Sequence, residues 1–283
     1  MLFKRTLVLG LALCASFTAS FAAESKKPIT KPKYDPAAPK VDMFDGIESQ
    51  SLEVTMRPKN EFGGNVFIKN NTDKPITVLL PDAIVGIHVH PQFGGGMGGG
   101  GMGGGGMGGM GGGGMGGQNQ TMGGGMGGGM GGGGMGGGGM GGGGGGGFFS
   151  IPPAETVRVP FNSVCLEHGK RSPTPRNVYK VVRVEDYSDK PELKELCKIV
   201  GTGKVDQAVT QAAAWHISSG MSWDQLANKM FDQAAAADTP YFSRQQLVAA
   251  HQLVQATEAR AKEVAARKAQ TEPTEEIRSA NSK

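Results

Sequence analysis

Apolar and polar residues alternate with a period of two through Ser51-Leu-Glu-Val-Thr-Met-Arg57, Val66-Phe-Ile68, Ile76-Thr-Val-Leu-Leu80 and Val85-Gly-Ile-His-Val-His90. Turn residues such as Asn70-Asn-Thr-Asp-Lys-Pro75 separate the runs. Such alternation predicts strands with one face buried. The same style returns in Phe148-Phe-Ser-Ile151, Thr156-Val-Arg-Val-Pro-Phe161, Ser163-Val-Cys-Leu-Glu167 and Val178-Tyr-Lys-Val-Val-Arg-Val184. Four strands on each side predict one small antiparallel β-sandwich of immunoglobulin-like type, built from residues 41–93 and 148–187.

From Ser188 the period lengthens to about 3.6. Leu193, Leu196, Cys197 and Val200 form one helical stripe that stops at Gly201; Val205, Ala208, Val209, Ala212 and His216 form another that stops near Gly220. Ser222-Trp-Asp-Gln225 and Ser243-Arg-Gln-Gln246 have the capping-box pattern, with Met221/Leu226 and Phe242/Leu247 as hydrophobic staples. Residues 188–268 are thus expected as a helical subdomain, packed on the sheet through Trp215, Trp223, Phe231, Tyr241 and Phe242. A polar tail, 269–283, follows. The fold class predicted is α+β.

Between the two strand groups, residues 94–147 contain only Gly and Met apart from Gln118-Asn-Gln-Thr121. Ordering costs about 1–2 kcal/mol per residue, and scattered methionines bury too little to offset it, so the composition predicts a disordered insertion. Its irregular period excludes collagen. A long loop adds only a logarithmic closure cost, so the insertion does not stop its flanks from sharing one sheet.

At the N-terminus, a basic start, the apolar stretch from Thr6 to Phe21 and a small-x-small site at Ser20-Phe-Ala22 predict a secretory signal peptide over 1–22. Bulky Leu13 before Cys14 argues against lipidation. Residues 23–40, rich in Lys and Pro, read as a flexible arm. Loss of Lys4 and Arg5 lowers the formal charge from +4 to about +2, which indicates no nucleic-acid partner. No other apolar run reaches membrane-spanning length, so no integral membrane segment is expected after signal removal. Localisation in the periplasm, at the cell surface or in the medium follows, with an envelope or extracellular partner of unspecified identity. Cys165 and Cys197 then remain in an oxidising compartment, where they permit a single disulfide or two buried thiols.

His88 and His90 lie two apart on one strand face, and Cys165 and His168 form a C-x-x-H pair. These residues compose a candidate metal site, with copper the metal suited to the tract's thioethers; the alternative is a solvated His pair at a strand end. No nucleophile triad, paired-carboxylate pattern or phosphate loop is present, so catalysis is not expected.

Cys165 in "NSVCLEHGKRSPTPRNVYK" and Gln211 in "VTQAAAWHISSG" together resemble the bacterial surface thioester domains of the TQxA type. That resemblance implies a Cys165 sulfur joined to the Gln211 carboxamide carbon with release of ammonia, in a protein that captures nucleophiles on host surfaces. The alternative is that Gln211, bordering a buried helical stripe, bonds backbone groups of the sheet. The whole layout is also similar to exported bacterial proteins with a glycine-rich insert, a VCLEHGK strand and a QAAAWH helix, a resemblance that carries no activity. The expected function is non-catalytic: an exported structural or interaction protein displaying a Gly/Met loop.

Overall fold

The computed structural model describes residues 27–89, 119–126, 147–231 and 237–271. The expected signal peptide, His90, most of the Gly/Met tract and the tail beyond Thr271 lie outside the described residues.

In chain order the elements begin with β1 (Lys40–Asp42), α1 (Met43–Glu48), β2 (Leu52–Asn60), β3 (Gly63–Asn70), β4 (Ile76–Leu79) and β5 (Ile84–His88). Next come β6 (Met122–Gly125), β7 (Phe148–Ile151), β8 (Thr156–Cys165) and β9 (Tyr179–Val182). The helical part holds α2 (Val184–Tyr187), α3 (Pro191–Thr202), α4 (Gln207–Ser219), α5 (Trp223–Ala227) and α6 (Arg244–Thr271). A two-residue ribbon, β10 (Met230–Phe231) with β11 (Thr239–Pro240), precedes α6.

The sheet corrects the sandwich expectation. Six antiparallel strands close into a barrel in the order β2-β3-β8-β6-β5-β9, and β1, β4 and β7 form a separate three-stranded sheet. What closes the barrel is β6, which comes from inside the Gly/Met tract. It pairs with β5 on one side, Val85 opposite Gly123, and with β8 on the other, Val164 opposite Gly123. Alternation identifies strands and their inward faces, but not which edges meet. With the tract read as a loop, β5 and β8 keep free edges and two sheets result; with β6 between them, those edges are paired.

Two apolar layers share the barrel wall. Inside the barrel and beneath the small sheet lie Met56, Val66, Ile68, Met122 and Tyr179, among others. Between the outer wall and the helices lie Val85, Val164, Leu166, Leu196, Cys197 and Trp215. Helices α3 and α4 stop at Gly203 and Gly220, both in the left-handed region at φ 64° and 68°. The buried Glu195 carboxylate joins α3 to α6: it accepts from Lys198 Nζ at 2.6 Å and Arg260 Nε at 3.1 Å.

Residues 27–35, expected as part of a flexible arm, run along strand edges. Ile29 N–H donates to the Thr156 carbonyl at 2.8 Å, and the Ile29 carbonyl accepts from Arg158 N–H at 2.9 Å. Further on, Ser150 N–H donates to the Lys33 carbonyl. The arm thus supplies partners to the side of β8 that β3 leaves uncovered, in the stretch before β6 takes over at Asn162. Pro160, which lacks an N–H, sits in that stretch, where no strand of the barrel needs its donor.

Candidate functional site

The end of β8 and the start of α4 bring together the two residues singled out by the thioester resemblance. β3 stops pairing with β8 at Gly63 opposite Asn162. Beyond that point β8 needs a new partner on this edge, because buried backbone groups left unpaired cost about 1–3 kcal/mol each. The side chain of Gln211 supplies it. Its Oε1 accepts from Cys165 N–H at 2.9 Å and its Nε2 donates to the Cys165 carbonyl at 2.8 Å. Those are the two bonds a residue directly opposite on an antiparallel neighbour would make, its C=O accepting and its N–H donating. One helical face continues the job: the Leu166 carbonyl accepts from Ser218 Oγ at 2.6 Å and Ser219 Oγ at 2.8 Å, and His168 N–H donates to Ser219 Oγ at 3.0 Å.

Gln211 is therefore bonded through both ends of its carboxamide to main chain. A strand side chain stands roughly perpendicular to the ladder in which those bonds lie, so the amide is aimed at the Cys165 backbone and not at its sulfur. Burial, followed by the Glu61 and Glu167 carboxylates, pushes the Cys165 thiol up to about 12. The sulfur is accordingly a protonated thiol, the weakly nucleophilic form.

Cys165 and Cys197 are both free and buried. Ladder parity explains why no disulfide joins them. Met122, opposite Cys165, points into the barrel interior, so Cys165 does too. The next pair, Gly123 and Val164, faces outward, and a Cβ on Gly123 would lie 2.9 Å from Cys197 Sγ. The two thiols occupy opposite faces of the wall. Burial pushes the Cys197 thiol up to about 12 as well.

The metal candidates are likewise separated. His168 leaves the wall on the helical side, its ring edge-on to Trp215 at a centroid distance of 4.8 Å. Burial, then the Lys229 ammonium, lowers its pKa below the ordinary histidine value. His88 lies at the barrel mouth, 5.3 Å between ring centroids from Tyr179. Its Nε2 is 3.0 Å from Asn177 Nδ2. Since Asn177 Oδ1 accepts from Thr174 N–H at 2.8 Å, the Asn177 amide nitrogen is the donor to His88 Nε2, and the His88 ring proton is assigned to Nδ1. His90 lies outside the described residues. Among the described residues, no group of three or more His, Cys, Asp or Glu side chains is placed to hold a metal. Met122 and Met126, the two tract methionines that are described, are packed in the barrel interior.

The residues that sequence reasoning passed over are those that hold β6. Asn119 Nδ2 donates to the Ser172 carbonyl at 2.8 Å and to Asn177 Oδ1 at 3.0 Å. Gln120 N–H donates to the Arg171 carbonyl, and its Nε2 to the Lys170 carbonyl at 3.1 Å. The Gln120 carbonyl accepts from Tyr179 OH at 3.0 Å. Thr121 donates twice to Glu167 Oε2, from N–H at 2.9 Å and from Oγ1 at 2.8 Å. Burial would raise the Glu167 carboxyl, but the Lys170 ammonium and the two Thr121 donors outweigh it and hold the group below its ordinary value.

Glycine is required in β6 because two backbones close on it. A Cβ at Gly124 would lie 1.9 Å from the Asn162 carbonyl oxygen, and one at Gly125 2.6 Å from the Asp82 carbonyl oxygen. Across the interface with α3, a Cβ at Gly201 would lie 2.7 Å from Gly125 Cα. Burying Met122 and Met126 contributes roughly 1.5–3 kcal/mol each, and ordering the five residues costs roughly 1–2 kcal/mol each. The polar anchors and the two ladders thus decide whether the strand forms. A readable signal existed: Met122 and Met126 are four apart and share a strand face, a spacing repeated only by Met126 and Met130, whereas the other tract methionines are three, five or seven apart.

A groove of about 400 Å³ lies between α3 and α6 on the helical side. Its lysines are largely committed: Lys194 to Glu185, Lys198 to Glu195, and Lys190 to the Ile217 carbonyl. Among the described residues, no helix is long and apolar enough to cross a membrane. Compared with protein-family models, curated proteins and solved structures, the chain matches none.

Proposed function

We propose that this protein is an exported, non-catalytic structural or interaction protein of the bacterial envelope or extracellular space, and that its Gly/Met segments make the contacts. The observation that carries this reading is the position of β6. A clamped strand in the middle of the tract divides it into two segments, 94–118 and 127–147, both joined to β6 in the barrel wall. Methionine suits weakly specific contact because its side chain is unbranched and polarizable. The groups with the best claim to reactivity support the same reading. Gln211 serves the backbone of β8, and Cys165 is a protonated thiol inside the barrel.

The test removes most of both segments, 94–117 and 128–146, and keeps 118–127. Binding of the purified chain to isolated envelope fragments should fall at least tenfold in a pelleting assay, while far-UV circular dichroism and the unfolding midpoint stay close to those of the full chain. Unchanged envelope binding would overturn the proposal.

A further inference from the structure

The contacts that hold β6 all run between the short segment 119–126 and its surroundings, and the connections on either side are far longer than closure needs. Antiparallel neighbours are commonly joined by two to five residues. Here residues 89–121 separate β5 from β6, and 126–147 separate β6 from β7. Fully extended, the first connection reaches on the order of 100 Å. The slot itself is specified locally. Glu167 and the Lys170 and Arg171 carbonyls fix Gln120 and Thr121, two methionines enter the interior, and the glycines pass beneath α3. The same segment from another molecule would make the same contacts.

We propose that the protein assembles with copies of itself by exchanging β6, so that the partner is a second copy of this chain and the recognised element is Asn119-Gln-Thr-Met-Gly-Gly-Gly-Met126. The polar residues at its start set the register. The even spacing of Met122 and Met126 then places both side chains inside the accepting barrel. Reciprocal exchange gives a closed dimer, and exchange passed from copy to copy gives an open chain. This goes beyond the functional reading, and it rests on the barrel geometry independently of where the protein is located.

Met122 and Cys165 face each other across the ladder, and Gln211 occupies the Cys165 N–H and C=O, so they form a non-hydrogen-bonded pair. Such pairs have Cα atoms about 4.5 Å apart, which is within disulfide range. The experiment uses the full chain carrying Met122→Cys and Cys197→Ala, annealed at concentrations from about 10 μM to about 1 mM, oxidised, and mapped without reduction. At an intramolecular effective concentration of order mM, the interchain 122–165 bond should rise from about 1% of the total to about half over that range. Replacing 91–117 by four glycines, which shortens that connection, should lower it about fivefold at the low end of the range. A bond that is intrachain at every concentration would overturn the proposal.

Should the double variant not fold, tagged and untagged wild-type chains annealed together at about 1 mM and then diluted supply the reading. Co-purification of untagged chain is expected, and its absence overturns exchange. Envelope binding that still depends on the Gly/Met segments while every 122–165 bond is intrachain would sink exchange alone. Interchain bonds with envelope binding independent of those segments would sink the functional reading alone.

Discussion

β6 and β8 lie side by side in one barrel wall and reach that place by opposite routes. β8 alternates: Val157, Val159 and Phe161 are buried, and Arg158 and Pro160 are exposed. β6 has almost no side chains to alternate, yet all four of its residues are buried. One strand is specified by what it carries, and the other by what its neighbours leave room for. β-propensity, which depletes glycine from strands, measures fit to a pleated, half-buried surface. It does not describe a position pressed between a barrel and a helix backbone. The comparison teaches that a low-complexity segment can be a structural necessity where close approach is the requirement and polar residues beside it fix the register.

The sharpest way to break this contrast is to give β6 a side chain. Gly124→Ala puts a methyl group 1.9 Å from the Asn162 carbonyl oxygen, contact with main chain that cannot move aside alone. Denaturant unfolding should show a loss of about 3 kcal/mol or more, at the upper end for overpacking. Tolerance of the alanine would mean that the strand is not held as described.

A loss of the same order is expected where β8 depends on a borrowed partner. Gln211→Ala leaves the buried N–H and C=O of Cys165 without bonds and should cost about 2–5 kcal/mol by the same measurement. Cys165→Ala, which keeps those bonds, should cost clearly less. The intact mass of the wild-type chain should equal the sequence mass of the mature form; loss of ammonia that disappears in Cys165→Ala would instead establish a thioester.

The mildest perturbation is acid. The folded state lowers the Glu167 pKa, so its contribution is complete above the ordinary carboxylate value of 4.5 and is lost as pH falls through the folded value. Amide hydrogen exchange at Thr121 and Gly123 should therefore accelerate, relative to the barrel as a whole, once pH drops below about 4.5. Glu167→Gln should remove that dependence, and an unchanged acid profile in this variant would exclude Glu167 as the controlling group.

Most strands and helices were legible because their information is local. The runs at 76–80 and 148–151 do form strands, though in the small sheet and not in a sandwich, and the runs around Pro160 merge into one strand, β8. The Ser222 capping box has both its bonds, as does the pattern at Ser243. Closure of the barrel was not legible from alternation, since it depends on Gly123–Gly125, which carry no hydrophobic signal of their own. At the candidate site, residue types left two readings of Gln211, a thioester to Cys165 or bonds to sheet main chain, and the structure has the second. Whether the amide reaches sulfur or main chain depends on where β3 stops, and that is a property of the ladder.

The segment 119–126 carries its own register marks and its own wall contacts, which has a genetic consequence. DNA encoding runs of glycine and methionine gains and loses units readily by slippage during replication. Insertions or deletions on either side of this eight-residue cassette change the reach of the segments but not the barrel, whereas a frame-preserving loss of a single glycine between Met122 and Met126 turns one methionine outward against α3. Natural variation in repeat number should therefore be wide around the cassette and absent within it.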